Sequence, residues 1–203
     1  YMLEFDHIAV SAATLDEGQA WVGSALRVTL SDIGHHPHMG THNRLLGLGP
    51  GLYLEVIAID PDAPKPGWPR WFDLDRFAGP PRITNWVLRT RDLDAALAAA
   101  PEGAGTATSL SRGDFRWRIG IPMSGVLPFA DAFPALIEWH GDLHPADRLP
   151  DQGVRLKRFE VVCPEADPLQ AALGLDDPRL AFATGPKAFR ATFDTPRGVR
   201  VLT

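Results

Sequence analysis

The chain has a single cysteine, no long apolar run and no block of positive charge, and each absence excludes a class of protein. One thiol, Cys163 in the run FEVVC, cannot close an internal disulfide, so a disulfide-stapled scaffold is excluded and a buried, hydrophobe-like role is expected for it. The longest apolar stretches, such as LYLEVIAI, fall far short of the roughly 20 residues a spanning helix needs, so no membrane role is expected. A net charge of −5 without a Lys/Arg cluster offers no concentrated positive field for phosphates, which argues against nucleic acid as a partner. The GxSxG elbow, the phosphate-binding Gly-Lys loop, the dinucleotide fingerprint and the paired CxxC are all missing, so serine hydrolase, nucleotide and thiol-redox chemistry lack a motif. The first residues, YMLEFDHIAV, show no basic region followed by an apolar segment and a cleavage site, and a cytoplasmic location is the expectation.

What remains is a chain of 203 residues with 45% hydrophobic and 22% charged content, enough to bury a sizeable core. Its periodicity repeats. A strand LEFDHIAVSA leads into a helix LDEGQAWVGSAL capped by Thr14, and three strands are expected after it: RVTLSDIG, THNRLLGLG and LYLEVIAID, with a tight turn at Gly49–Gly51. After a Pro-rich connection the order returns, with the strand RITNWVLRT, the helix RDLDAALAAAP, and strands near TATSLSRG, FRWRIGIP and FPALIEWHG. From Val154 a shorter run follows: VRLKRFEVVC, DPLQAALGL, LAFATG, FRATFDTP and GVRVLT. Internal repetition of this kind marks paired supersecondary units that cannot bury their apolar faces alone. The expectation is an α+β fold read as one domain over 1–203, with βαβββ modules at about 1–62 and 82–145 and a partial third at about 154–203.

The segments DHIAV, GTHNRLLGLG, LYLEVIAIDPD, LRTRDLDA and PALIEWHGDLHP together resemble the glyoxalase-like branch of the vicinal oxygen chelate superfamily over nearly the full length. The resemblance implies tandem βαβββ modules forming a curved mixed sheet, a cup in which a divalent metal is held by residues of the outer strands of each module.

Alternation along the strands puts Phe5, His7 and Ala9 on one face and Ile8 and Val10 on the other; it likewise groups Tyr53, Glu55 and Ile57 against Leu54 and Val56. The superfamily's metal pair maps onto His7 and Glu55, whose imidazole and carboxylate suit Zn, Mn, Fe or Ni. In the second unit the matching positions are Asn85 and Glu138. Asn85 departs from the strong ligand that metal-dependent relatives carry, and His140, two residues beyond Glu138, is the candidate to supply the missing nitrogen. Glu55 and Glu138 are further expected as proton shuttles with His42 as acid or base, and Arg44, Asn85, Tyr53 and Trp139 as substrate contacts. The alternative is a polar cup without metal, in which Glu55 pairs with Arg44, His7 donates to a backbone carbonyl and Glu138 meets Arg116 or Arg118. His35, His36 and His38 in GHHPHMG are expected in an exposed loop, and Trp68, Trp71 and Phe72 as caps on a core.

Two functions follow as expectations. One is a metal-dependent lyase, isomerase or dioxygenase-like enzyme acting on a small oxygen-rich molecule. The other is a metal-free protein that sequesters small molecules in the same cup. Either acts as a monomer or a homodimer.

Overall fold

The computed structural model describes residues 1–203. The first strand, β1 (Glu4–Ser11), runs into helix α1 (Leu15–Leu26), followed by β2 (Gly34–His36), β3 (Thr41–Gly47) and β4 (Tyr53–Ile59). The sequence predicts α1 well: the Thr14 side chain accepts from the Glu17 amide, Asp16 and Glu17 favour the positive end of the helix dipole, and Leu15, Gly18, Val22 and Leu26 are buried at helical spacing. Gly18 is required by packing, because a Cβ there would sit 2.4 Å from Val56 Cγ1. The connection after α1 departs from expectation. RVTLSDIG forms no strand before Gly34, since Ser31 satisfies Leu45 with its own side chain and backbone, at 2.8 Å in each direction, and leaves no ladder to continue.

A 3-10 segment at Trp71–Arg76 bridges to β5 (Arg82–Arg89), α2 (Leu93–Ala99), β6 (Thr106–Arg112), β7 (Phe115–Ile121) and β8 (Ala135–Trp139). A second 3-10 turn at Pro145–Arg148 precedes β9 (Arg155–Cys163), α3 (Ala166–Leu173), β10 (Leu180–Thr184), β11 (Ala188–Thr195) and β12 (Gly198–Leu202).

The first eight strands form one sheet in the order β2-β3-β4-β1-β5-β8-β7-β6. Each half repeats one pattern: its first strand lies parallel to its last, β1 with β4 and β5 with β8, and the two first strands meet antiparallel at the centre. The result is the expected mixed sheet of tandem βαβββ units. The sheet curls until its edges meet, where Arg112 at the end of β6 donates to Asn43 Oδ1 and reaches His36 Nε2 of β2, each at 3.3 Å.

The third run has the same element order with different pairing. Its sheet is β10-β9-β11-β12, with β9 parallel to the strand directly after the helix rather than to the last one. Its apolar face packs on the outside of the large sheet, where the Phe159 ring lies 5.4 Å from Phe5 and 5.7 Å from Trp86. Those residues, the inner faces of α1 and α3, and buried Cys163 share one continuous core. A second, smaller core lies on the concave side and contains Ala9, Ile57, Trp71, Phe72, Val87, Trp117 and Ile137. No helix is long and apolar enough to cross a membrane.

Candidate active site

The two cores define which parity of each strand faces the concave side, and the central strand departs from simple alternation. β1 carries a bulge between Phe5 and His7, so Asp6 is an extra residue and the parity flips there. Phe5 therefore joins Ile8 and Val10 in the outer core, contrary to its expected grouping with His7, while His7 enters the cup. The bulge also buries the Asp6 carboxylate completely.

Four donors surround that carboxylate. His7 Nδ1 lies 2.6 Å from Oδ2; Oδ1 takes the Trp139 indole N–H at 3.0 Å, His144 Nε2 at 2.8 Å and the Arg89 guanidinium at 3.3 Å. Burial alone would raise the Asp6 pKa, but the hydrogen bonds and charges of His144 and His7 outweigh it and hold the group well below the usual range. The Ala146 amide donates to His144 Nδ1, so His144 Nε2 carries the proton that it gives to Asp6.

With Nδ1 committed to Asp6, His7 presents Nε2 to Glu55 Oε1 at 3.6 Å. Its ring stacks on Tyr53 at 4.4 Å. The other Glu55 oxygen accepts from Asn43 Nδ2 at 2.6 Å. Desolvation opposes charge on both partners, yet hydrogen bonding to Asp6 and Glu55 raises His7 to about 9, and hydrogen bonds from His7 and Asn43 with the charge of His7 lower Glu55 to about 2. The pair is thus an imidazolium and a carboxylate held face to face in a buried cavity.

His36 is the opposite case. It is buried in the cup, and desolvation, helped by the charge of Arg112 against that of Glu55, lowers its pKa to about 4. Its Nε2 faces the Asn43 amide nitrogen at 3.4 Å and Arg112 at 3.3 Å, and its Nδ1 faces Thr41 Oγ1 at 3.2 Å. These partners make it a neutral ring protonated on Nδ1.

Aromatic side chains close the cup. Trp71 and Phe72, Trp117, Trp139 and Ile137 line a cavity of about 30 Å³ together with the polar groups, space for a water molecule or an ion. Phe72 and Asp73 adopt left-handed φ of 56° and 51°, a conformation that costs about 1 kcal/mol or more per residue and turns the Phe72 ring inward. Trp117 and Trp139 also wall an open basin of about 530 Å³ outside, bordered by Arg91, Arg116, Glu138 and His140.

The predicted site residues divide by face. His7, Tyr53, Glu55 and Trp139 come together in the cup. Glu138 and His140 do not, a correction to the expected ligand set. On β8 the cup face belongs to Ala135 and Ile137, and Glu138 points to α2, where it accepts from the Leu93 amide at 2.8 Å and pairs with Arg118 at 3.1 Å. His140 is exposed. The Arg118 pairing is one of those expected for a cup without metal; Glu55 instead meets His7 and Asn43, and His7 meets Asp6.

His42 and Arg44 also fall outside. The β3–β4 register sets His42 opposite Ala58 and Arg44 opposite Val56, both on the helix face, so their expected contact with substrate beside Glu55 is corrected. Arg44 donates to the Ser31 carbonyl. Asn85 has a cup-facing position opposite Ala9 but lies apart from the cavity lining. It is buried with neither amide atom at hydrogen-bond geometry, although it stands close enough to Asp131 to lower that carboxyl slightly against the dominant rise from burial.

Sequence reasoning missed Asp6, His36, Asn43, Arg112, Trp117 and His144. His36 was expected in an exposed loop, yet it is a β2 residue opposite Thr41, and Trp71 and Phe72 wall the cavity as well as capping its core.

A divalent ion would find two protein donors here, His7 Nε2 and Glu55. Metal bonds of about 2.0–2.2 Å at a tetrahedral angle set two donors roughly 3.4 Å apart, near the 3.6 Å observed. Asp6 and Asn43 hold the remaining donor atoms as outer partners of metal ligands do. The second half of the sheet presents Val87, Ala135 and Ile137 and contributes no donor, and His36 Nε2 is already engaged by Arg112 and Asn43.

The glyoxalase-like domain family matches residues 5–175. No curated protein matches. Among solved structures, a hypothetical protein from Staphylococcus aureus superposes with a TM-score of 0.60 at 14% identity, covering 92% of this chain and 88% of that one. A methylmalonyl-CoA epimerase from Streptomyces coelicolor, in complex with 2-nitronate-propionyl-CoA, gives 0.47 at 15% identity over 70% of this chain and 100% of that one. The methylmalonyl-CoA epimerase from Mycobacterium tuberculosis gives 0.44 at 19% identity over 68% and 88%. At these identities the likeness is one of fold.

Proposed function

We propose, for a chain that belongs to the glyoxalase-like domain family of the vicinal oxygen chelate superfamily, an enzyme that acts on a small oxygen-rich molecule at the His7–Glu55 centre with a divalent ion held by those two side chains. The supporting observation is the convergence of His7 Nε2 and Glu55 Oε1 at 3.6 Å, each on a side chain whose other donor atom is fixed by a buried partner. A bound ion supplies Lewis acidity toward two neighbouring substrate oxygens and keeps open positions for them, since the protein provides only two ligands.

The chain's own residues account for the remaining roles. Glu55, the one carboxylate lining the cavity, would move a proton through Oε1 only when that oxygen is released from the ion, because Asn43 holds Oε2 at 2.6 Å. Asp6 accepts from His7 Nδ1 at 2.6 Å, which orients the ring so that Nε2, once deprotonated, would face the ion. Trp71, Phe72, Trp117 and Trp139 exclude water, which strengthens every charge interaction inside. Because the enclosed space is only about 30 Å³, an organic substrate requires a side-chain shift, and Trp117 and Trp139 stand between the cavity and the open basin. Lyase, isomerase and dioxygenase-like reactions are the classes proposed for this centre.

A second reading, a protein that binds a small molecule without metal, is favoured by the absence of donors on β5 and β8 and by the aromatic wall. The deciding experiment is elemental analysis of untagged protein purified without chelator, beside His7→Ala and Glu55→Gln. Near-stoichiometric metal in the wild type, lost in both variants, supports the enzyme and justifies assays with diols, oxo-acids and thiol adducts. A wild type that stays metal-free after reconstitution sinks that mechanism and leaves ligand binding.

A further inference from the structure

Outside the cup, on the opposite face of the same hairpin, two histidines and an aspartate converge. His35 and His42 are direct cross-strand partners on β2 and β3, with ring centroids 6.1 Å apart. Asp60 directly follows β4, its amide tied to the Gly40 carbonyl at 3.0 Å. His35 Nδ1 lies 3.0 Å from Asp60 Oδ2 and His42 Nδ1 lies 3.9 Å from Oδ1. One donor atom from each of the three residues falls within 4.8 Å of the others.

We propose that His35, His42 and Asp60 form a second divalent-metal site, separate from the His7–Glu55 centre. Two imidazoles and one carboxylate on one face are a donor set for a first-row transition ion such as Zn, Co or Ni, and a poor one for Ca or Mg, which prefer oxygen alone. The geometry is partly prepared. Asp60 is oriented by the Asp62 amide, which donates to Oδ1 at 3.0 Å, and the His42 and Asp60 side chains are only 12% and 10% exposed. His35, at 60% exposure, is free to rotate from its 3.0 Å contact with Asp60 to the roughly 3.4 Å donor spacing that tetrahedral bonds of about 2.1 Å require. Water fills the outward positions, so the role is a clamp rather than a catalytic centre.

The consequence for the cup follows from strand alternation. His36 and Asn43, next in sequence to His35 and His42, are the cup-facing pair that meets Glu55 and Arg112. An ion outside therefore pins the strands that position them. β2 has only three residues at the sheet edge, where backbone pairing alone is weakest.

The test uses untagged, chelator-stripped full-length protein titrated with Zn²⁺ by calorimetry, with thermal unfolding in parallel. Four comparisons are made with the wild type: His35→Ala, His42→Ala with Asp60→Asn, His38→Ala, and His7→Ala with Glu55→Gln. The expected result is one site that the cup double variant retains and the His42/Asp60 variant loses, with at least about tenfold weakening in His35→Ala. His35 is largely exposed, so that variant tests the ligand even where the double variant folds poorly. Zn²⁺ should raise the melting temperature of the His7→Ala/Glu55→Gln variant, and adding His35→Ala to that variant should remove the rise. Unchanged Zn²⁺ affinity and stoichiometry in His35→Ala, or a site lost in His38→Ala, overturns the proposal. A cup variant that binds as many ions as the wild type counts against metal at His7 and Glu55 and leaves this outer site standing.

Discussion

Replacing Asp6 by asparagine removes a buried charge that four donors share, and the structure sets the scale of the loss. With its oxygen in the Oδ1 position the amide still accepts from His144, Trp139 and Arg89, but it turns its N–H₂ toward His7, so the His7 imidazolium loses both its acceptor and its counter-charge. An unsatisfied buried donor costs about 1–3 kcal/mol, and breaking one member out of a buried ion pair costs about 3–5 kcal/mol; the expected destabilisation at pH 6.5 is about 3–5 kcal/mol. The pH dependence carries a sign. In ion-free protein His7 is raised from 6.5 to about 9, so its contribution is fully present below 6.5 and is lost as pH rises through about 9. That interval corresponds to about 3 kcal/mol at most. The depressed pKa of Asp6 owes most to His144 and in part reports the same attraction to His7, so it is not added to it. Urea unfolding followed by tryptophan fluorescence, on chelator-treated protein at several pH values between 6.5 and 9, measures both effects. The wild type should lose stability across this window and Asp6→Asn should show a shallower slope. A variant within about 1 kcal/mol of wild type at pH 6.5, with the same slope, would refute the assignment of Asp6 as the counter-charge of His7.

Glu138→Gln should cost no more than about 1 kcal/mol, because its pair with Arg118 is partly exposed, and should leave the metal content of the protein unchanged; loss of metal on this substitution would contradict the placement of Glu138 outside the cup. Asn85→Leu replaces a buried amide that has no hydrogen-bond partner with an apolar side chain of similar volume, so urea unfolding should find it neutral or more stable by about 1 kcal/mol. A loss of more than about 2 kcal/mol there would show that the amide's proximity to Asp131 is a stabilising interaction.

Much of this protein was legible in its sequence because the relevant physics is local. Thr14 announced the start of α1 and caps it as expected; the glycines at 49 and 51 take positive φ in the β3–β4 turn; and alternation on β4 correctly grouped Tyr53, Glu55 and Ile57 away from Leu54 and Val56. Alternation states which residues of one strand share a face and says nothing about which face of the neighbouring strand joins them. That depends on register, which long-range pairing decides. The β3–β4 register turned Asn43 rather than His42 toward Glu55, and the β5–β8 register turned Ile137 rather than Glu138 inward. A single bulged residue reversed the count on β1, buried Asp6, and gave His7 its charged partner. The closure of the cup by Arg112 and His36 joins strands from opposite ends of the sheet, a contact no local pattern encodes. The sequence by itself determined most of the elements and their order, β2 excepted, and its family resemblance singled out His7 and Glu55; the tertiary structure alone decided which other side chains surround that pair, because bulge, register and the curl of the sheet set them.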